Sequence, residues 1–273
     1  MRLRNHAKWM FVLLAVVFVF SFVVAGVGSG STGVSDLFGS VSFFGGSSSS
    51  DPVKAAQKKV DKAGKDTAEL APALKNLADA QARKQLTADA EATYKRYLAL
   101  RPQDVTARQH LALQYKNDAD AQFLQLQAIA QDVVQSAPIG STKLVTDPIQ
   151  AAVHQDAISH ATDFYRAFRT AKQKELTELG AAAARAKGVQ RSSLLAQQGP
   201  EAFNAFNTAA NFGSLIPESP AAADAQKDIA AWAKLGLPAL QQVLKLHPKD
   251  SLGAQIKQMI DRMKPYAPAA AKS

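Results

Sequence analysis

The stretch LKNLADAQARKQLTADAEATYKRYLALRP, residues 74–102, decides the fold class. Apolar side chains recur in it every three or four residues, which is the period of an amphipathic α-helix. They are Leu74, Leu77, Ala78, Ala90, Tyr94, Tyr97 and Leu98. A polar break at residues 83–87 separates two such runs, and Pro102 closes the second because proline cannot continue a helix. We therefore expect two helices joined by a short turn.

The composition supports helices throughout. Hydrophobic residues make up 47% of the 273 residues, which is enough for a buried core. Alanine is abundant and aromatic residues are few, a bias that favours closely packed helices and predicts an all-α fold. The chain has no cysteine, which excludes disulfides, thiolate metal sites and cysteine nucleophiles. Its net charge of +9 is spread too thinly to indicate nucleic acid as a partner.

The N-terminus has the pattern of a membrane anchor. The run WMFVLLAVVFVFSFVVAGV, residues 9–27, is uncharged and would span about 28 Å as a helix. Arg2, Arg4 and Lys8 precede it, so the positive-inside rule places residues 1–8 in the cytoplasm and the rest of the chain outside. We expect a transmembrane helix at residues 9–28. The alternative is a signal peptide cleaved near Ala25, which would give a secreted protein.

Residues 29–52 are rich in Gly and Ser and are expected to form a flexible tether. Apolar residues inside the tether are compatible with weak surface contacts or with docking of a membrane partner. Asp51 and Pro52 then predict a helix start, with Asp as the capping residue.

Residues 77–81 and 111–115 have similar patterns at a distance of 34 residues. Leu77, Ala78 and Gln81 are followed 34 residues later by Leu111, Ala112 and Tyr115. A helical hairpin with this period resembles the tetratricopeptide (TPR) repeat. Leu74, Leu77, Ala78 and Gln81 take the positions of its first helix, and Ala90, Tyr94 and Pro102 those of its second. Leu74, Ala78 and Gln81 replace the Trp, Gly and Tyr of the family pattern.

A second block of similar spacing follows towards the C-terminus. Ala205, Ala209, Phe212 and Pro217 are matched 31 residues later by Gly236, Leu240, Val243 and Pro248. Proline after Leu-x in LRP, LIP and LHP is expected to end three helices, with Asp104 and Asp250 capping the helices that follow. A tight turn is predicted at residues 235–238. Ile256, Ile260 and Met263 are expected to face inward from a terminal capping helix at residues 250–264.

The expected organisation is an N-terminal transmembrane helix followed by a TPR-like solenoid of helical hairpins. Its segments are a first TPR-like block at 53–135, a loop at 136–148, a long basic helix and its connection at 149–199, a second block at 200–264 and a disordered tail at 265–273. The whole layout resembles single-pass, extracytoplasmic TPR proteins of bacterial envelopes, some of which accompany secretion or envelope-assembly machinery.

The resemblance implies where a ligand would bind, since TPR domains hold ligands on the concave wall of their first helices. The residues at matching positions are Lys75, Asp79, Arg83, Gln109, Leu113 and Lys116. Chaperone C-termini are not expected as ligands, because their carboxylate clamp needs Asn four residues after Lys and here Asp79 follows Lys75.

The most basic stretch lies within the long helix. Arg166, Arg169 and Lys172 follow one another at steps of three residues and so share a helix face. Such a face is either solvated beside the apolar core or a contact for an anionic surface such as lipid headgroups or envelope polymer.

Residues that carry chemistry are not arranged in any recognisable motif. The sequence shows no glycine-rich phosphate loop, and His154 and His160 lie about 120° apart around a helix. No carboxylate is expected in an apolar setting that would raise its pKa. We therefore expect neither catalysis, nor a metal, nor a cofactor.

The first hypothesis is a membrane-anchored scaffold that binds a protein partner. The alternatives are a helical ligand-binding or enzymatic domain, and a binder of anionic lipid or polymer. Neither the partner nor the oligomeric state follows from the sequence.

Overall fold

The computed structural model describes residues 51–137, 148–247 and 250–267. These residues are helical apart from short connections and contain no strand, which confirms the all-α prediction. The helices are α1 (Pro52–Ala63), α2 (Thr67–Arg83), α3 (Thr87–Leu100), α4 (Val105–Ser136), α5 (Pro148–Arg185), α6 (Gly188–Leu215), α7 (Ala222–Leu246) and α8 (Ser251–Met263), followed by one 3₁₀ turn at Lys264–Tyr266.

The predicted transmembrane helix lies outside the described residues, as do residues 29–50 of the tether, most of the loop at 136–148 and residues 268–273 of the tail. None of the helices within the described ranges is long and apolar enough to cross a bilayer.

Aspartates begin four of the helices. The carboxylates of Asp51, Asp66, Asp104 and Asp250 each accept a hydrogen bond from a backbone N–H two or three residues further on, at 2.8–3.0 Å. These bonds satisfy donors that the first helical turn leaves free. The predicted caps at positions 51, 104 and 250 are confirmed.

Three helices end in the same way. They end at Leu100, Leu215 and Leu246, the first residues of LRP, LIP and LHP, as predicted. In each case the next residue leaves the helix with φ between −125° and −132° and ψ between 58° and 65°, and its N–H still donates to the carbonyl four residues back. A following proline disfavours the helical region for this residue, so the helix ends here.

Each helix packs mainly against its neighbours in the chain, most extensively in the α4–α5 and α6–α7 hairpins. The apolar interior forms two clusters. One joins α1, α2, α3 and the start of α4, and the other extends from α4 to α8. The predicted inward residues of the capping helix, Ile256, Ile260 and Met263, are all buried, and Met263 is fully enclosed.

The turn predicted at residues 235–238 is wrong, because α7 continues through it. Pro238 is exposed inside the helix, where it removes one hydrogen bond. The flanking residues compensate by packing. Gly236 lies so close to α6 and α8 that an added Cβ would meet Ala202 and Met263 at less than 3 Å, and Leu240 is completely buried. Tertiary contacts therefore override the local signal.

Candidate protein-interaction surface

Polar contacts connect α2 to α4, and α4 to α6. Lys75 of α2 lies 3.2 Å from Asp104 at the start of α4. Lys116 of α4 lies 2.9 Å from Glu201 of α6. Each of these is a single ion pair, whereas the helix backbones pack mainly between helices that are consecutive in the chain.

The odd-numbered helices are connected in the same manner. Lys174 of α5 lies 3.8 Å from Glu91 of α3. At its other side, α5 contacts α7 through Asp228, which accepts hydrogen bonds from Tyr165 and Arg169, both at 2.9 Å. Asp228 is almost fully buried, so these two bonds satisfy a carboxylate that would otherwise be costly to enclose.

Three of the predicted groove residues lie on α2. Lys75 is half-buried and held by Asp104, whereas Arg83 at the end of the helix is exposed. Asp79 accepts a hydrogen bond from the Tyr94 hydroxyl at 2.5 Å and lies 3.2 Å from His110 of α4. Two of the three side chains are therefore already engaged within the protein.

The cluster around Asp79 shifts two pKa values. Partial burial opposes ionisation of Asp79, but hydrogen bonds from His110 and Tyr94 outweigh it and lower the pKa of this carboxyl. Burial, and then the negative charge of Asp79, raise the pKa of Tyr94. The arrangement stabilises an ionised carboxylate beside a neutral phenol, which is a structural role between α2, α3 and α4.

The other predicted groove residues lie on α4. Gln109 and Leu113 are half-buried. Lys116 is shared between Glu201 at 2.9 Å and Asp120 at 3.0 Å, and these partners raise its pKa against the opposing effect of burial. Of the four charged residues among the six, Arg83 alone has no ion pair in the described part of the chain, and Gln109 and Leu113 are uncharged.

Lys116 belongs to a group of five charges where α4, α5 and α6 meet, which we call the interior ion cluster. Its members are Lys116, Asp120, Lys172, Glu175 and Glu201. Lys172, 1% exposed, lies 2.8 Å from Glu201 and 2.6 Å from Glu175. The sequence places Lys172 on an anionic-contact face, and the structure corrects this, since Lys172 is interior and paired.

Glu175 is the least satisfied member of the interior ion cluster. It is 1% exposed, and its one close polar contact is the ion pair of Oε2 with Lys172 at 2.6 Å, while Oε1 has no hydrogen-bond partner. Burial raises the pKa of Glu175 to about 7, although Lys172 opposes the shift. The expectation that no carboxylate occupies such a setting is therefore wrong.

Glu201 was not among the residues that the resemblance selected, yet it joins two lysines from two helices. A signal for it exists in the sequence. Glu201 is the only charged residue between Arg191 and Glu218. A single charge in so apolar a helix indicates a buried partner.

The remaining basic residues of α5 differ in their surroundings. Arg169 lies 2.8 Å from Asp228 and 4.0 Å from Asp224, so its charge is compensated by α7. Arg166 is exposed. An anionic surface would therefore meet Arg166 without the two neighbours that the spacing predicts.

The histidines of α5 do not converge. His154 is within 3.1 Å of the Ser136 hydroxyl and 4.0 Å of Glu218, whereas His160 lies 3.6 Å from the exposed Asp156. Among the described residues, no group of three His, Asp or Glu side chains is arranged to hold a metal ion.

Comparison with known proteins finds no matching family model, no matching curated protein and no matching solved structure. The TPR resemblance thus depends on the residues quoted above.

Proposed function

We propose that the chain is a scaffold that binds a protein partner at the extracytoplasmic face of a bacterial membrane, with residues 9–28 as its anchor. On this proposal the described helices form a TPR-like solenoid. The even-numbered helices α2, α4 and α6 make one wall, and the odd-numbered helices α3, α5 and α7 make the other.

The observation that supports this proposal is the pairing of alternate helices. Ion pairs from α2 to α4 and from α4 to α6, and from α3 to α5 and from α5 to α7, support an arrangement in which hairpins stack on one another. The segments LRPQD, LIPES and LHPKD end one helix and precede the next. Asp104 and Asp250 accept the capping hydrogen bond of the next helix, whereas the Ser219 hydroxyl accepts a hydrogen bond from the N–H of Ala221, just before α7. A repeated helix end is expected of a repeated unit.

The partner site of this proposal lies on the even-numbered wall around Arg83, Gln109 and Leu113. These side chains retain accessible surface and are not used in ion pairs. A half-buried leucine beside a cation and an amide suits an extended or helical peptide, with apolar contact for affinity and polar groups for orientation.

The enzymatic alternative has less support. The two histidines of α5 lie apart, and the charges of the interior ion cluster are paired with one another. Charge compensation of Arg169 and burial of Lys172 likewise weaken the case for an anionic-surface binder.

The test is crosslinking in intact cells, followed by purification through a C-terminal tag and mass spectrometry. We expect a small set of envelope or secretion proteins, and a peptide from residues 1–25 in the same sample. An Arg83→Glu, Leu113→Ser variant should lose these partners, whereas Lys227→Glu on the exposed surface of α7 should retain them. Recovery of no specific protein would contradict the scaffold proposal, and loss of residues 1–25 would contradict the anchor.

A further inference from the structure

The outer half of the α4–α5 hairpin, residues 117–137 and 148–165, has a charge unlike the rest of the chain. We call it the hairpin end. Its described residues include five aspartates and neither lysine nor arginine, in a protein whose net charge is +9. The aspartates are Asp118, Asp120, Asp132, Asp156 and Asp163. Asp120, at its inner edge, is paired with Lys116 at 3.0 Å, whereas Asp132 and Asp156 lie further out, and Asp156 has the exposed imidazole of His160 at 3.6 Å.

One face of the hairpin end is left uncovered by the preceding helices. Asp156 and Lys174 are 18 residues apart on α5, which is five helical turns, so they lie on the same face. At Lys174 this face meets Glu91 of α3. However, α2 and α3 have 17 and 14 residues, while α4 and α5 have 32 and 38. At about 1.5 Å per residue, α2 is about half as long as α4, and α3 is less than half as long as α5.

A cleft of about 350 Å³ lies on this uncovered face. Ile129, Asp132, Ser136, Val153, Asp156 and Ala157 line it. Val153 is 55% exposed. Leu124 is 64% exposed and lies three turns before Gln135, another residue of the cleft, on the same face of α4. The cleft therefore has an apolar floor with a carboxylate on each side.

We propose that the hairpin end docks a cationic amphipathic helix of a protein partner. The bound helix lies across the cleft, on the part of this face that α2 and α3 do not reach. Its bulky apolar residues cover Ile129 and Val153, and its Lys or Arg side chains face Asp132 and Asp156.

Charge decides which occupant fits. Anionic lipid or nucleic acid would be repelled by the aspartates of the hairpin end, whereas a Lys- or Arg-bearing helix is attracted to them. Apolar anchors at helical spacing fit a groove between two helices. This inference names a partner chemistry and rests on the proposed scaffold function, but it concerns a different surface from the one around Arg83 and Leu113.

The probe is a synthetic amphipathic helix of about five turns, with Leu on one face and Lys on the other. Its fluorescence anisotropy is titrated with the full-length chain in nanodiscs of zwitterionic lipid, with empty nanodiscs subtracted. A matched peptide carries Glu in place of every Lys. Two variants are tested: the double variant Asp132→Asn, Asp156→Asn and the single variant Val153→Ser. The control is the double variant Asp89→Asn, Asp261→Asn, which changes two exposed aspartates outside the hairpin end.

We expect the Lys peptide to bind, to bind more weakly as salt rises, and to lose about fivefold in affinity in the Asp132, Asp156 variant. Val153→Ser should weaken binding at every salt concentration, and the control variant and the Glu peptide should show no such effects. Equal weakening in the control variant, or no binding of the Lys peptide, would overturn the proposal.

Sedimentation of the wild-type chain alone tests whether the occupant is a second copy of this chain. Salt-dependent self-association that Asp132→Asn with Asp156→Asn abolishes would show that the occupant is another copy of this chain, which also overturns the proposal. Because crosslinking around Arg83 and Leu113 does not depend on the hairpin end, failure of this test leaves the scaffold proposal to be judged by its own experiment.

Discussion

Replacement of Glu175 by Gln should remove a pH dependence of stability that the wild-type chain possesses. Glu175 is enclosed by α4, α5 and α6 and faces Lys116, Lys172 and Glu201. Burial keeps its proton bound in the folded state up to about pH 7, whereas in the unfolded chain the carboxyl ionises near its ordinary pKa of 4.5. Glutamine has the same shape and no proton to release.

The direction follows from proton binding in the two states. Between pH 4.5 and about 7 the folded state holds a proton that the unfolded state has lost, so the free energy of unfolding falls as pH rises. Above about pH 7 both states are ionised and this contribution is constant. This pKa difference between the folded and unfolded states corresponds to about 3 kcal/mol of unfolding free energy. About 2–3 kcal/mol of it should be lost between about pH 5 and about pH 8.

The assay is urea denaturation of the full-length chain in detergent, followed by helical circular dichroism at several pH values from about 5 to 8. The quantity of interest is the difference between wild type and Glu175→Gln at each pH, because titration of the histidines cancels in it. This difference should move in favour of the variant by about 2–3 kcal/mol as pH rises. Glu69→Gln, an exposed control, should follow the wild type at every pH. Parallel curves for wild type and Glu175→Gln would refute the reasoning.

Three further substitutions probe the packing of the described helices. Lys172→Met should destabilise the fold by about 3–5 kcal/mol, since it removes the cation that the buried Glu175 and Glu201 share. Lys174→Met on the same helix should cost less than about 1 kcal/mol. Urea denaturation measures both variants, and equal losses of unfolding free energy would contradict the burial argument. Tyr94→Phe removes a hydroxyl that donates at 2.5 Å to a half-buried carboxylate, and should lower the midpoint of thermal unfolding by an amount equivalent to about 1–2 kcal/mol; an unchanged midpoint would show that this bond contributes nothing net. Gly199→Ala would place a Cβ 2.7 Å from a leucine side chain of α7 and should cost about 1–3 kcal/mol. The Cβ of Gly213→Ala would meet no atom nearer than 3.9 Å, so this variant should stabilise the helix by up to about 1 kcal/mol. A thermal scan in which both variants have the same unfolding midpoint would exclude the clash.

Helix ends and inward faces could be predicted because local rules determine them. A proline after Leu-x disfavours helical backbone at the residue before it, and an aspartate at the next helix start offers an acceptor to free N–H groups. The burial of Leu77, Ala78, Leu111 and Ala112 follows from the same period. These signals need no knowledge of any other helix.

The interior charges could not be predicted because distant residues determine them. Lys172 shares a face with Arg169 by spacing, but it is buried because Glu201, 29 residues later, lies 2.8 Å away on α6. Likewise, Pro238 carries a turn signal, and only the contact of Gly236 with α6 and α8 explains why the helix continues. In both cases a tertiary partner, absent from any local window, decides the outcome.

The location of the interior ion cluster also bears on how the two apolar clusters are joined. Helix α4 contributes Leu111 and Tyr115 to the first cluster and Ala112 and Ala119 to the second, and Lys116 lies between them. Small alanine side chains pack closely but do little to fix how far one helix slides along another, whereas ion pairs with short, specific distances do. A buried ion pair is weak evidence for stability, so its value here would lie in alignment. If Lys116 and Lys172 set the position of α6 against α4 and α5, their loss should disturb the even-numbered wall, and with it partner binding around Leu113, more than the unfolding free energy alone would indicate.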